Sequence, residues 1–159
     1  MKVAGIIQNS VVNGIGVRDT IFFQGCEHHC IGCHNPKTWD INGGEEMSVQ
    51  RIAEIFKDSP HDITLSGGEP LLQYDEIIGL MGYMYNAQRK RFWIYTGFRY
   101  EEIPPRMLEV MSKYVDVLVD GRFEESKKDL KLQFRGSSNQ RLIDLPKSVA
   151  KGKVILWEE

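Results

Sequence analysis

The sequence predicts an α/β fold, an open partial (βα) barrel with parallel strands. Three observations carry this. Runs rich in β-branched, aromatic and aliphatic residues recur at Thr20–Gln24, Asp62–Ser66, Phe92–Thr96 and Val115–Asp120, with helix-period segments between them. Each run is closed by glycine, at Gly25, Gly67, Gly97 and Gly121. Strand alternating with helix implies right-handed βαβ crossovers and a parallel sheet. Four strands are too few for a closed eight-stranded barrel, which takes about 250 residues. The chain has 159 residues and reads as one domain over 1–159.

The elements follow in order. Met1–Ser10 is too short an apolar stretch for a signal sequence, and polar residues end it. No run approaches the ~20 apolar residues of a membrane span. The formal charge is −2, so no bulk field points to nucleic acid or a membrane surface. A cytoplasmic protein with reduced thiols is expected. Val12–Gly16 is a turn-rich lead-in to the first strand, Thr20–Gln24. Asn42-Gly43-Gly44 breaks the chain. Ser48 can cap a helix whose apolar side is Val49, Ile52, Ala53 and Phe56, ended by Pro60. A second helix is expected near Asp75–Ala87, with Ile77, Met81 and Met84 as core filler on one face. Gln88–Arg91 reads as a solvated, cationic helix end. Pro104 and Pro105 suit a third helix start, buried through Met107, Leu108 and Met111. In the tail, Lys131–Phe134 and Arg141–Asp144 are expected to form a hairpin around Gly136–Asn139, with Val154–Trp157 as a last strand.

All three cysteines lie between the first strand and the first helix, at Cys26, Cys30 and Cys33, spaced C-x3-C-x2-C, with no fourth in the chain. A structural zinc site is normally closed by four ligands. A [4Fe–4S] cluster has four irons and takes thiolate ligands. Three thiolates would leave one iron open to a substrate or cofactor. Competing readings are a Cys3His zinc site completed by His28, His29 or His34, and a c-type haem attachment through Cys30-Ile31-Gly32-Cys33-His34. Disulfide pairing fits poorly with an odd count inside eight positions.

Sites in parallel α/β folds gather at the carboxyl ends of the strands. There the sequence places the cysteine loop, Gly67-Gly68-Glu69-Pro70, Thr96-Gly97 and Asp120. The CxxxCxxC spacing, followed by G-G-E-P after the next strand, resembles the radical S-adenosylmethionine (SAM) superfamily. That resemblance implies Cys26, Cys30 and Cys33 as cluster ligands, with the amino and carboxylate groups of SAM on the open iron. It implies Gly67, Gly68 and Glu69 near the SAM ammonium group, where two glycines would let backbone carbonyls approach. It places Gly32, Cys33 and His34 beside the adenosine, and Thr96 and Asp120 near SAM or a bound cation. Asp120 has the alternative of a turn-capping carboxylate before Gly121. Gly32 stands where many members have an aromatic residue.

A narrower resemblance rests on Asn13-Gly14-x-Gly16, Gly25-Cys26, Gly32-Cys33-His34-Asn35, Thr38-Trp39, Ser66-Gly67-Gly68, Tyr95–Phe98, Val119–Phe123 and Arg135–Gln140, in that order. Together these are similar to the activating proteins of anaerobic (class III) ribonucleoside-triphosphate reductase. The implied activity is reductive cleavage of SAM to a 5′-deoxyadenosyl radical, which takes a hydrogen atom from a glycine of the reductase. The implied partners are that reductase and a reduced flavodoxin- or ferredoxin-type electron donor. Such chemistry needs no acid–base pair, which agrees with the lack of any recognisable triad. Arg135–Arg141 reads as either a partner surface or a polar turn. Alternatives are an activase of the pyruvate formate-lyase type, a radical SAM enzyme for a small molecule such as a deazapurine synthase, and a non-catalytic iron–sulfur carrier or zinc protein.

Overall fold

The computed structural model describes residues 1–159. Its strands are β1 (Lys2–Ser10), β2 (Arg18–Phe23), β3 (Glu45–Glu46), β4 (Asp62–Gly67), β5 (Phe92–Tyr95), β6 (Val115–Asp120) and β7 (Arg141–Asp144). They form one seven-stranded sheet in the order β3-β1-β2-β4-β5-β6-β7. The central strands β2, β4, β5 and β6 run parallel. They are the four expected from the sequence, and burial on both faces is what made them legible as apolar runs. The flanking pairs β1–β2, β1–β3 and β6–β7 are antiparallel.

The helices are α1 (Val49–Phe56), α2 (Tyr74–Gln88), α3 (Pro105–Met111) and α4 (Leu145–Lys151). The first three each occupy one crossover between adjacent parallel strands. Successive crossovers step in one direction, so a common right hand puts these helices on one face of the sheet. The packing agrees: Ile52, Phe56, Ile77, Met81, Met84, Leu108 and Met111 share one core with Ile21, Phe23, Ile63, Leu65, Phe92, Ile94 and Leu118. Ser48 caps α1 as expected, its hydroxyl accepting from the Arg51 amide at 3.1 Å. The other face carries a smaller cluster of Trp93, Val117 and Val119, covered by Tyr95, Phe134, Leu142 and Trp157. There the buried Arg18 guanidinium lies over Trp93 at 5.4 Å and donates to Thr64 Oγ1 and the Ile63 carbonyl, each at 2.9 Å.

Several tail and edge expectations need correction. Lys131–Phe134 forms no strand; Arg141–Asp144 pairs with β6 instead of folding back as a hairpin. Phe134 is left-handed (φ 62°), which an extended strand cannot accommodate. Val154–Trp157 makes only an isolated bridge, between Ile143 and Leu156. The β1 strand was not foreseen, because most of its residues are exposed or half-exposed and show no clean alternation. Nor was α4, which Asp144 caps by accepting from the Lys147 amide at 3.0 Å. The basic run after α2 is a solvated end only at Arg89, which is exposed. Lys90 is buried and donates to the Ser59 and His61 carbonyls at 2.6 and 2.7 Å, while Arg91 pairs with Asp116 at 2.6 Å. Arg89 caps α2 in the left-handed conformation at φ 58°. No helix is long and apolar enough to cross a membrane.

Candidate functional site

A cleft of about 780 Å³ opens at the carboxyl ends of the four parallel strands. Cys26, Cys30 and Cys33 line it, together with His34, Gly67, Gly68 and Thr96. Gly32, Glu69 and Asp120 do not line it. The topology thus brings together most of the residues singled out from sequence, and three take other places.

The cysteine loop is bolted to the strand ends at its root. The Gly25 amide donates to the Thr38 carbonyl (2.6 Å) and the Cys26 amide to the Trp39 carbonyl (3.2 Å), closing the loop on itself. The Gly68 amide donates to the Phe23 carbonyl (2.8 Å) and the Glu69 amide to the Gly25 carbonyl (2.7 Å), fixing the G-G-E turn beneath it. A Cβ on Gly68 would lie 2.3 Å from the Gly25 oxygen and 3.0 Å from the Thr38 oxygen. Gly67 has φ 100°, and its Cβ would meet the Phe23 nitrogen at 2.3 Å. The space these two glycines keep clear is therefore filled by the end of β2 at Gly67 and by the root of the cysteine loop at Gly68.

Glu69 is fully buried, and its carboxylate joins three parts of the site. It lies 2.7 Å from His28 Nε2 on the cysteine loop. It accepts from the Thr96 hydroxyl (2.8 Å) and the Gly97 amide (2.7 Å) at the end of β5, and from the Leu71 amide (3.0 Å) in its own turn. Thr96 stands at the cleft wall, with its hydroxyl committed to Glu69 and to the Phe98 amide (3.1 Å). Asp120 turns away from the cleft. Its buried carboxylate accepts from Arg141 Nε (3.1 Å) and Nη2 (2.5 Å) and from the Tyr100 amide (2.7 Å). Asp120 first, then Glu101, pushes the Arg141 guanidinium pKa up. Gly32 has φ 78° and packs toward Phe123, which a Cβ there would meet at 3.2 Å.

The histidines are occupied by neighbours. His28 packs edge-on against Phe98 at 4.7 Å, His29 stacks on Trp39 at 4.6 Å, and His34 tilts against Phe123 at 5.2 Å. No three His, Cys, Asp or Glu side chains converge tightly enough to chelate a single ion. A cluster poses a different demand, since each thiolate binds its own iron. Burial pushes the Cys26 thiol pKa up, with Glu69 and Cys30 adding to the effect and the His28 and His29 backbone amides opposing it. Metal binding there releases a proton from a site that otherwise holds it. Three half-buried thiols on one clamped loop suit a [4Fe–4S] cluster with one iron left open.

Three residues that the sequence offered only as parts of family motifs, with no place in the site, line the cleft. Tyr95 is pressed into the wall, and burial raises its hydroxyl pKa far above the ordinary range. Trp39 and Arg135 line the cleft with buried, unpartnered donors, Nε1 and Nε respectively. The period-two pattern of β5 could have placed Tyr95, which shares a face with Trp93. The His28–Glu69 contact spans 41 residues and had no local signal.

A family model described as a 4Fe-4S single cluster domain matches residues 12–143. Several curated proteins are similar over most of their length. One from Salmonella typhi is 39% identical over 139 residues, covering 82% of this chain and 90% of its own. One from phage T4 is 38% identical over 138 residues, covering 82% and 86%. One from Haemophilus influenzae is 36% identical over 140 residues, covering 82% and 89%. Each is named an anaerobic ribonucleoside-triphosphate reductase-activating protein.

Proposed function

Because this chain belongs to the anaerobic ribonucleoside-triphosphate reductase-activating proteins and matches a single-cluster 4Fe-4S family, we propose that it is a glycyl-radical activase that uses SAM. Its target is a glycine of anaerobic ribonucleoside-triphosphate reductase. The observation that carries this reading is the convergence of all three cysteines on one cleft, in a chain with no fourth cysteine. When bound, the cluster supplies one electron to split the sulfonium of SAM, giving methionine and a carbon radical that takes hydrogen from the glycine Cα.

The chain's own residues do the rest. Cys26, Cys30 and Cys33 would hold the cluster. Gly67, Gly68 and Glu69 fix the loop against β4, and the Glu69–His28 contact ties it to the end of β5 through Thr96 and Gly97. Trp39, Tyr95, Phe123 and Phe134 give the cleft apolar walls that limit water around a reactive intermediate. Val11, Val12 and Leu130 also line the cleft and are 65, 71 and 87% exposed. Such an open apolar mouth suits a protein loop better than an enclosed small molecule. The four parallel strands and their one-sided helices are read as the partial (βα) barrel of a single radical SAM domain, acting in the cytoplasm with a flavodoxin- or ferredoxin-type donor.

The test is anaerobic reconstitution followed by iron, sulfide and product analysis. The expected result is a [4Fe–4S] cluster and reductant-dependent 5′-deoxyadenosine from SAM, both lost when any of Cys26, Cys30 or Cys33 is changed to Ala. Zinc in place of iron, or a cysteine variant that makes 5′-deoxyadenosine at the normal rate, would overturn the reading.

A further inference from the structure

The segment Arg135–Gln140 is built more firmly than a connecting turn requires. The Gln140 side-chain oxygen accepts from the Gly136 amide (2.9 Å), the Ser137 amide (3.1 Å) and the Ser137 hydroxyl (3.3 Å). The Gln140 side-chain nitrogen donates to the Gly121 carbonyl (3.0 Å), and Asn139 donates to the Arg122 carbonyl (2.8 Å). Ser137 is fully buried and accepts from the Glu124 amide at 3.2 Å. The loop is thereby fastened to the chain that leaves β6, beside the third cysteine: a Cβ on Gly136 would lie 3.6 Å from His34 Nε2.

What this scaffold presents is Arg135. Just before it, Phe134 adopts φ 62°, a conformation bulky residues avoid. The twist seats the Phe134 ring edge-on against Trp93 at 5.4 Å. Arg135 lines the cleft, donates Nη1 to the Gln140 carbonyl (2.9 Å), and forms no ion pair with any carboxylate within 4.0 Å. Its Nε is buried with no partner. The other arginine of the cleft, Arg122, reaches Glu102 at 3.4 Å. A half-buried guanidinium held on a strained, hydrogen-bonded loop, with Nε unpartnered and no carboxylate beside it, fits a planar carboxylate or phosphate.

Resting on the SAM reading above, we infer that Arg135 recognises the amino-acid carboxylate of SAM. SAM carries one carboxylate and no phosphate. A carboxylate has acceptor capacity for both a metal and a guanidinium, so the assignment does not compete with ligation of iron. Arg135 is thus a specificity residue that separates SAM from nucleosides lacking the methionyl tail.

The test compares three ligands on the cluster-loaded protein by equilibrium binding: SAM, S-adenosylhomocysteine (same carboxylate, no sulfonium) and 5′-deoxyadenosine (no carboxylate). Arg135→Gln is expected to weaken SAM and S-adenosylhomocysteine by about tenfold to a hundredfold while leaving 5′-deoxyadenosine within about twofold, the range of a charge-assisted hydrogen bond. Arg135→Lys is expected to recover part of the loss. The ratio between ligands does not depend on how much of the variant is folded. Equal weakening of all three ligands, or no change, overturns the inference. So does a loss confined to reductase affinity, which would assign Arg135 to the protein partner. Failure of the wild-type protein to bind SAM at all removes the parent reading instead.

Discussion

Replacing Glu69 separates a buried clamp from a direct cofactor contact. Its carboxylate collects His28, Leu71, Thr96 and Gly97 within 3.0 Å and is wholly inaccessible. In Glu69→Gln the amide nitrogen must face at least one of these donors. Stranding one buried donor costs about 1–3 kcal/mol. Glu69→Ala leaves all of them without the carboxylate, at about 3–5 kcal/mol, the range for breaking a buried charged contact. A chain of this size loses about 2–4 °C of melting temperature per kcal/mol, so the alanine variant is expected to melt about 6–20 °C lower. The assay is thermal unfolding by circular dichroism of the metal-free chain, under reducing conditions and without SAM. An alanine variant that melts within about 1 °C of wild type, yet binds SAM poorly once loaded with iron, would refute the clamp and make Glu69 a ligand contact.

Further expectations follow the same logic. Gly68→Ala drives a Cβ into the Gly25 and Thr38 carbonyls, so it should displace the cysteine loop, lower iron content and destabilise by about 1–3 kcal/mol. Gly79→Ala in α2 meets nothing within 4 Å and should stabilise by about 0.5–1 kcal/mol; the pair is read by melting and iron analysis side by side. Asp120→Asn should weaken the Arg141 and Tyr100 contacts, lowering the melting temperature while leaving SAM affinity unchanged in a binding titration. Burial raises the Tyr95 pKa in the folded state above its ordinary 10.0. The unfolded chain therefore loses that proton first, so stability is full below pH 10 and falls as pH rises beyond it, by up to about 1.4 kcal/mol per unit. Tyr95→Phe should flatten that alkaline limb in a series of denaturant melts.

The parallel core was legible because β2, β4, β5 and β6 are buried on both faces, so their composition alone marks them. The helix at Ser48 was legible from one cap and one apolar stripe. What escaped was set by tertiary context. Strand β1 is a near-edge strand whose mostly exposed and half-exposed residues carry no clean period. The expected hairpin failed at Phe134, whose left-handed backbone is held by packing on Trp93. Lys90 looked like surface charge, yet two carbonyls 29 and 31 residues away draw it inside. At the site, the spacing of the cysteines and the G-G-E turn announced which strand ends matter. It could not show that Glu69 serves as the clamp between them, because its partner His28 is distant in sequence and its other contacts depend on the sheet.

The most direct test of the account is electron paramagnetic resonance on a mixture of the reduced, cluster-loaded protein, SAM and an anaerobic ribonucleoside-triphosphate reductase. A glycine-centred radical on the reductase, absent when SAM or any one of the three cysteines is removed, is the predicted result. A cluster whose spectrum ignores SAM, with no radical formed on the reductase, would contradict it.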